Sequence, residues 1–283
     1  MAAAAVGTDT GGSIRIPAAL CGLTGFKPTQ QRISLEGVSL LSSTLDSVGT
    51  IAPTVRCCAA VDAVLAGHAA SEVPPAELCS KLHAVPKNHF LDELDPHVAA
   101  AFESALSRLS RAGAKIIEAA LPEVAGIGEV NVKGGFAAAE SYAFHRRLGT
   151  DFGAYDPLVR ERIERGQAIG AADYLEMVGE RASIIRRFDR GHARFDAIIC
   201  PTVPIVAPEI RVLQEDAAEF RRVNALLLRN PAVVNFLDRC ALSLPCHQPG
   251  EAPVGLMLIG RRMEDRALLS LGLAIEQALA MQR

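Results

Sequence analysis

The chain has 283 residues, 49% of them hydrophobic and 22% charged, with a formal net charge of −3 at pH 7. That is ordinary globular composition with enough apolar side chains for a sizeable core, and nothing in it marks a nucleic-acid partner: the arginines of 160–165 and 186–194 alternate with acidic residues or recur at helical spacing, as solvated helix faces do. No run approaches the roughly 20 apolar residues of a membrane span, the N-terminus lacks the basic start of a signal peptide, and seven cysteines without C-x-x-C spacing read as reduced core thiols of a cytoplasmic protein.

In chain order, strand-like and helix-like text alternate. "GLTGFKPT" (22–29) reads as a strand ending in a Lys-Pro turn, and "PTVRCCAAVDAVLAG" (53–67) as a helix with Thr54 as N-cap and Gly67 as stop. "KLHAVPKNHF" (81–90) is a short strand followed by a loop. "DPHVAAAFESALSRLSRAGA" (95–114) is a helix capped by Asp95, with Pro96 in its first turn, an apolar face of Val98, Phe102, Leu106 and Leu109, and Gly113 ending it. "AKIIEAALP" (114–122) is a strand. Helical text covers 134–147 and 172–191, "FDAIICPTVPIVAP" (195–208) is a buried strand running into a loop, and a further helix covers about 216–229. "APVGLMLIGRRMEDRALLSLGLAIEQAL" (252–279) closes the chain as strand, turn and helix. The alternation predicts an α/β layer fold with a largely parallel or mixed sheet, in one domain over 1–283. The segment 122–170 carries less pattern and reads as irregular connection or as an excursion near a pocket. Within it, Phe136 and Tyr142 read as helix core, with pocket walls as the alternative.

The stretch "GTDTGGSIRIPAALCG" (7–22) carries the chemistry. Gly11 and Gly12 suit a tight turn with positive φ and close approach of a substrate. Ser13 offers a hydroxyl nucleophile, and backbone N–H groups around it could stabilise the oxyanion of acyl transfer. A helix beginning just after Ser13 would add its N-terminal partial charge. Two rival motifs fail: a phosphate-binding loop needs Lys where Ser13 stands, and a G-x-S-x-G elbow needs Gly where Arg15 stands. The bland alternative is a tight turn with a capping serine, and for Asp9 and Arg15 a surface pair of little worth. His89 and His97, among Asp92, Glu93 and Asp95, show no metal-ligand spacing and read as a polar loop before a helix.

The longer string "GTDTGGSIRIPAALCGLTGFKPT" (7–29) closely resembles the signature of the amidase signature family. The resemblance continues through "STLDSVGTIAPTVRCCAAVDAVLAG" (43–67) and resumes in "SLPCHQPGEAPVGLMLIGRRMEDRALL" (243–269). It implies an α/β/α fold with a central mixed sheet, and hydrolysis of a carboxylic amide through a Ser–Ser–Lys triad without a cofactor. Ser13 would be the acyl-accepting nucleophile, the amides of Thr10, Gly11, Gly12 and Ser13 the oxyanion hole, and Asp9 with Arg15 the pair that supports the loop. Thr50 and Pro53 stand where the family more often has Pro and Arg. The family's catalytic Lys and second Ser lie N-terminal to this motif, and Lys27, Lys81, Lys87, Lys115 and Lys133 do not match that element. Met1 is thus expected to fall inside a family domain whose fold is incomplete on the N-terminal side. That would leave an unpaired sheet edge, and a chain inactive or weak alone. A partner chain over the missing region, or a homo-oligomer, would cover that edge. The expected ligand is a small-molecule amide. The alternative is a non-catalytic pseudoenzyme or an amidotransferase-type subunit that binds a partner chain.

Overall fold

The structure is a computed structural model that describes residues 2–69, 71–149 and 151–280. Met1, on which the reading of the chain's start rests, lies outside the described residues. Strand β1 (Ala5–Asp9) leads through the glycine loop into helix α1 (Arg15–Leu20) and β2 (Thr24–Lys27). A long loop returns as β3 (Ser47–Ala52), followed by α2 (Val55–Leu65), β4 (Leu82–Pro86), α3 (Pro96–Arg111) and β5 (Lys115–Ala119). Four helices come next: α4 (Glu123–Val130), α5 (Gly135–Leu148), α6 (Pro157–Glu164) and α7 (Ala171–His192). The chain then runs through β6 (Ala197–Pro201), α8 (Ile210–Glu215), α9 (Ala217–Phe236), β7 (Ala241–Pro245), β8 (Gly255–Ile259) and α10 (Asp265–Ala280).

The helix ends follow local chemistry. The Thr54 hydroxyl accepts from the Cys57 amide at 3.2 Å, and the Asp95 carboxylate from the His97 amide at 2.8 Å, so each cap satisfies a donor that the first turn leaves free. Gly67 and Gly113 follow α2 and α3 with φ of +74° and +94°, the left-handed stop that glycine tolerates.

The eight strands form one sheet in the order β1-β3-β2-β7-β8-β6-β4-β5. The sheet is mixed rather than largely parallel. β4 runs parallel to β5 and β6, while the pairings of β1 with β3, β3 with β2, β2 with β7, β7 with β8 and β8 with β6 are antiparallel. Side chains alternate between two cores, as the period of two requires. Leu242, Leu244, Leu256 and Leu258 meet Val55, Phe102, Leu109 and Leu268 from α2, α3 and α10 on one face. Ala241, Met257, Ile259 and Ile198 meet Val124, Phe136, Ile184, Phe188 and Phe236 from α4, α5, α7 and α9 on the other. The result is an α/β/α sandwich. Each fully buried Leu or Phe contributes roughly 1.5–3 kcal/mol.

Two local expectations change. The segment 122–170 is largely helical, although Phe136 is where the reading put it, 1% exposed in the helix core, edge-on to Phe236 and Tyr174. The helix expected to stop near 229 continues to Phe236 with Pro231 inside it. Its last turns are held by tertiary packing: Val233, Val234 and Phe236 are buried, and the Pro231 carbonyl accepts from Arg15. The edge strand β1 takes its first two residues, Ala5 and Val6, from the end of the alanine-rich N-terminal text, through pairing with β3.

Candidate active site

β1 carries Asp9 into the interior, and the chain reverses over Thr10–Ile14 before α1 begins. Asp9 is fully buried and its carboxylate organises the turn. Oδ1 accepts from the Gly12 amide at 2.8 Å, from Arg15 Nη2 at 3.0 Å and from Asn235 Nδ2 at 2.9 Å. Oδ2 accepts from the Ile14 amide at 3.2 Å and from Arg15 Nε at 3.1 Å. Arg15 is equally buried, and its guanidinium also donates to the Pro231 carbonyl at 3.0 Å and to Asn235 Oδ1 at 2.6 Å. This is the fork-on-fork arrangement that fixes geometry as well as charge, and the two groups lie 0% exposed, not on the surface. Burial alone would raise the Asp9 carboxyl, but the charge and hydrogen bonds of Arg15 outweigh it and hold it at about 2.

Gly12 sits at φ +131°, where an L side chain is strained, and a Cβ there would meet Ile16 and Pro231 at 2.6 Å. Gly11 differs: its φ is not positive, and a Cβ would lie 3.4 Å from Leu228, an ordinary contact. The turn needs one glycine for its backbone, not two.

The Thr10 hydroxyl donates to Asp46 Oδ1. Asp46 Oδ2 accepts from the amides of Leu41 and Ser42 at 2.8 and 3.1 Å, which ties the loop to the segment before β3. Ser13 is exposed, and among the described residues its hydroxyl makes no hydrogen bond. The amides of Thr10, Gly11 and Ser13 have no acceptor there either. The Gly12 amide is committed to Asp9, so of the four amides expected to face a substrate oxygen it is the one that geometry removes. Helix α1 does begin two residues past Ser13, but it is only six residues long.

The lysines lie elsewhere. Lys27 is buried, and its ammonium donates to the carbonyls of Pro28 and Arg239 at 2.8 and 2.9 Å. Desolvation, with repulsion from Arg15, pulls it down to about 8. Lys81, Lys87 and Lys133 pair with Asp196, Glu118 and Asp173. Lys115 is on β5, at the sheet edge opposite β1. His89 and His97 bond the carbonyls of Arg229 and Ala252 through Nε2, and among the described residues no three His, Cys, Asp or Glu side chains gather as a metal ion would need. Asn235, which bonds both Asp9 and Arg15, and Asp46, which holds Thr10, are the site residues that sequence reasoning missed. Asn235 lies 226 positions from Asp9, and no local pattern marks it.

Comparison with known proteins gives one consistent result. The family model described as Amidase matches residues 1–269. The chain is 33% identical to 2-amino-5-chloromuconic acid deaminase of Comamonas testosteroni, over 96% of this chain and 60% of that protein. It is 33% identical to a glutamyl-tRNA(Gln) amidotransferase subunit from Acidobacterium capsulatum, over 98% of this chain and 65% of the relative. Among solved structures, an amidase crystal structure superposes with a TM-score of 0.83 at 29% identity, covering 97% of this chain and 62% of that one. The chain therefore spans about three fifths of the length of the proteins it resembles. Among the described residues, no helix is long and apolar enough to cross a membrane.

Proposed function

The chain belongs to the Amidase family, and from that premise we propose that Ser13 is the acyl-accepting nucleophile of an amide hydrolase. The observation that carries the reading is the loop itself. An exposed serine hydroxyl shares its turn with the amides of Thr10, Gly11 and Ser13, which have no acceptor among the described residues, and the turn is clamped by the buried Asp9–Arg15–Asn235 cluster. In this reading Ser13 Oγ attacks the amide carbonyl carbon. The carbonyl oxygen takes the negative charge and faces the N–H groups of Gly11 and Ser13, with Thr10 beside them. Each such donor is worth about 2.7–4 kcal/mol in the transition state. The amine leaves with a proton, and water hydrolyses the resulting ester to the acid. The chemistry calls for neither a metal nor an organic cofactor.

A serine hydroxyl needs a base. The five lysines are buried, paired or remote, so the Lys–Ser relay implied by the resemblance is assigned to polypeptide outside these 283 residues. The 283 residues are taken as one amidase-like domain. Alone, they are expected to retain no more than the roughly 10³–10⁴-fold over water that an oxyanion hole and binding supply in a serine protease. A cytoplasmic setting is supported by seven free thiols. The test is acyl transfer from a panel of aliphatic and aryl primary amides to hydroxylamine, read as hydroxamate, in wild type and in Ser13→Ala. Product that depends on Ser13 supports the assignment, and equal product in the two refutes it.

A second reading, a non-catalytic subunit that binds a partner chain, is favoured by the open side of β1. Among the described residues that strand pairs only with β3, and Val6 on it is 58% exposed. The relative named as an amidotransferase subunit supports it too. A monodisperse monomer in light scattering, with a cooperative melt, would count against it.

A further inference from the structure

Behind the Ser13 loop lies a polar cluster with no counterpart in the chemistry above. Glu140 on α5 receives four donors. Its Oε2 accepts from the Ser42 hydroxyl at 2.5 Å and from the Thr44 amide at 3.0 Å. Its Oε1 accepts from the Tyr174 hydroxyl at 2.5 Å and from the Thr44 hydroxyl. Ser42 and Thr44 belong to the segment 41–46, whose Asp46 holds Thr10. The same segment is tied to α9, where Asn235 Nδ2 donates to the Leu45 carbonyl at 3.4 Å. Tyr174 comes from α7 and packs edge-on against the buried Phe136, ring centroids 5.7 Å apart. One carboxylate thus joins α5, α7 and the segment 41–46, and that segment reaches the Ser13 loop directly through Asp46 on Thr10 and indirectly through Asn235 on Asp9.

Resting on the assignment of Ser13, we propose that Glu140 is a positioning residue for the reactive loop: through Ser42, Thr44 and Asp46 it fixes where Thr10, and so the Gly11 and Ser13 amides, stand. A carboxylate is the group the place requires. All four neighbours donate, and an ionised carboxylate accepts at both oxygens and donates at neither. A glutamine there would present an NH₂ to two of the donors. The segment's own backbone turn, with the amides of Leu45 and Asp46 donating to the Ser42 carbonyl at 3.3 and 2.9 Å, and the Gln30 side-chain amide on the Ser43 carbonyl at 3.2 Å do not reach Thr10.

The test reads the loop without requiring turnover. Amide hydrogen exchange is followed by NMR at the protected amides of Leu41, Ser42 and Asp46, and at Gly12 and Ile14, in wild type and Glu140→Gln. Exchange is expected to rise at least about ten-fold at both groups, the scale of losing a charge-assisted hydrogen bond, with β7, β8 and α10 unchanged. Thr10→Val should sharply reduce the effect of Glu140→Gln at Gly12 and Ile14, because the direct link to Asp46 is then gone and only the long Asn235–Leu45 contact remains; an undiminished effect overturns the proposal. Tyr174→Phe and Thr44→Val, which each remove one donor, carry the same comparison if Glu140→Gln does not fold. Faster exchange at 41–46 with Gly12 and Ile14 unchanged overturns the proposal, and so does a uniform rise across the whole sheet. Labelling of Ser13 by an aryl fluorophosphonate, run in parallel, judges the nucleophile separately: no adduct in wild type refutes Ser13, while exchange still decides the role of Glu140.

Discussion

Replacing Arg15 by methionine tests the architecture of the loop most severely. Arg15 is fully buried and makes two hydrogen bonds to Asp9, one to Pro231 and one to Asn235. In the wild type the Asp9 carboxyl is held at about 2 against an ordinary 3.8. That difference corresponds to about 2 kcal/mol of stability, present above pH 3.8 and lost as pH falls through 2. With Arg15 gone, burial acts almost unopposed and carries the Asp9 pKa upward, since Lys27 offsets only part of it. The folded state then carries an uncompensated buried carboxylate at neutral pH. Removing one member of a buried pair costs about 3–5 kcal/mol. Urea unfolding of Arg15→Met should therefore show a loss of that size at pH 7, shrinking to less than half of it near pH 3.5, where the carboxyl can protonate. Asp9→Asn combined with Arg15→Met should recover part of the loss. A cost below about 1 kcal/mol, or one that does not change between pH 7 and pH 3.5, would refute the reasoning.

Gly12→Ala should destabilise by at least about 2 kcal/mol, from the strain of a left-handed φ and the clash with Ile16 and Pro231, while Gly11→Ala should cost much less; thermal melts compare the two. Lys27 is depressed to about 8 in the folded chain against 10.5 unfolded. The unfolded state therefore binds more protons between those values, and wild-type stability rises with pH through that window by about 3 kcal/mol relative to Lys27→Met; a constant gap between pH 7 and 10.5 in urea midpoints would contradict this. His83 is 0% exposed, neither ring nitrogen has a hydrogen-bond partner among the described residues, and burial pulls it to about 4. His83→Leu should stabilise by about 1–2 kcal/mol at pH 7, and by more at pH 5, where the wild type loses stability as its unfolded histidine takes up a proton.

What the sequence disclosed was what local chemistry decides. Asp95, Pro96 and Gly113 bracket α3 as their capping chemistry requires, and Thr54 and Gly67 bracket α2. The Asp9–Arg15 pair and the Ser13 turn lie within a few residues of one another, so a short motif could carry them. The short strands β1, β3 and β7 were not legible, because five or six residues between glycines and prolines become strands only through their partners. The helix over about 216–229 runs on to Phe236 for the same reason: Pro231 lacks an N–H to donate, and packing of Val233, Val234 and Phe236 keeps the helix going. Asn235 and Asp46 come to the loop, and Glu140 to the segment 41–46 beside it, from far along the chain, each as an ordinary polar residue in its own segment. That the Gly12 amide is already used by Asp9 is a matter of loop geometry, which no spacing encodes.

The central claim is that Ser13 is the nucleophile. The direct measurement is intact mass and peptide mapping after exposure to an aryl fluorophosphonate, in wild type and in Ser13→Ala. The predicted result is a single adduct, on Ser13, that forms slowly without a base beside it and is absent from Ser13→Ala. An adduct on another residue, equal labelling of the two proteins, or no adduct after exhaustive incubation would contradict it.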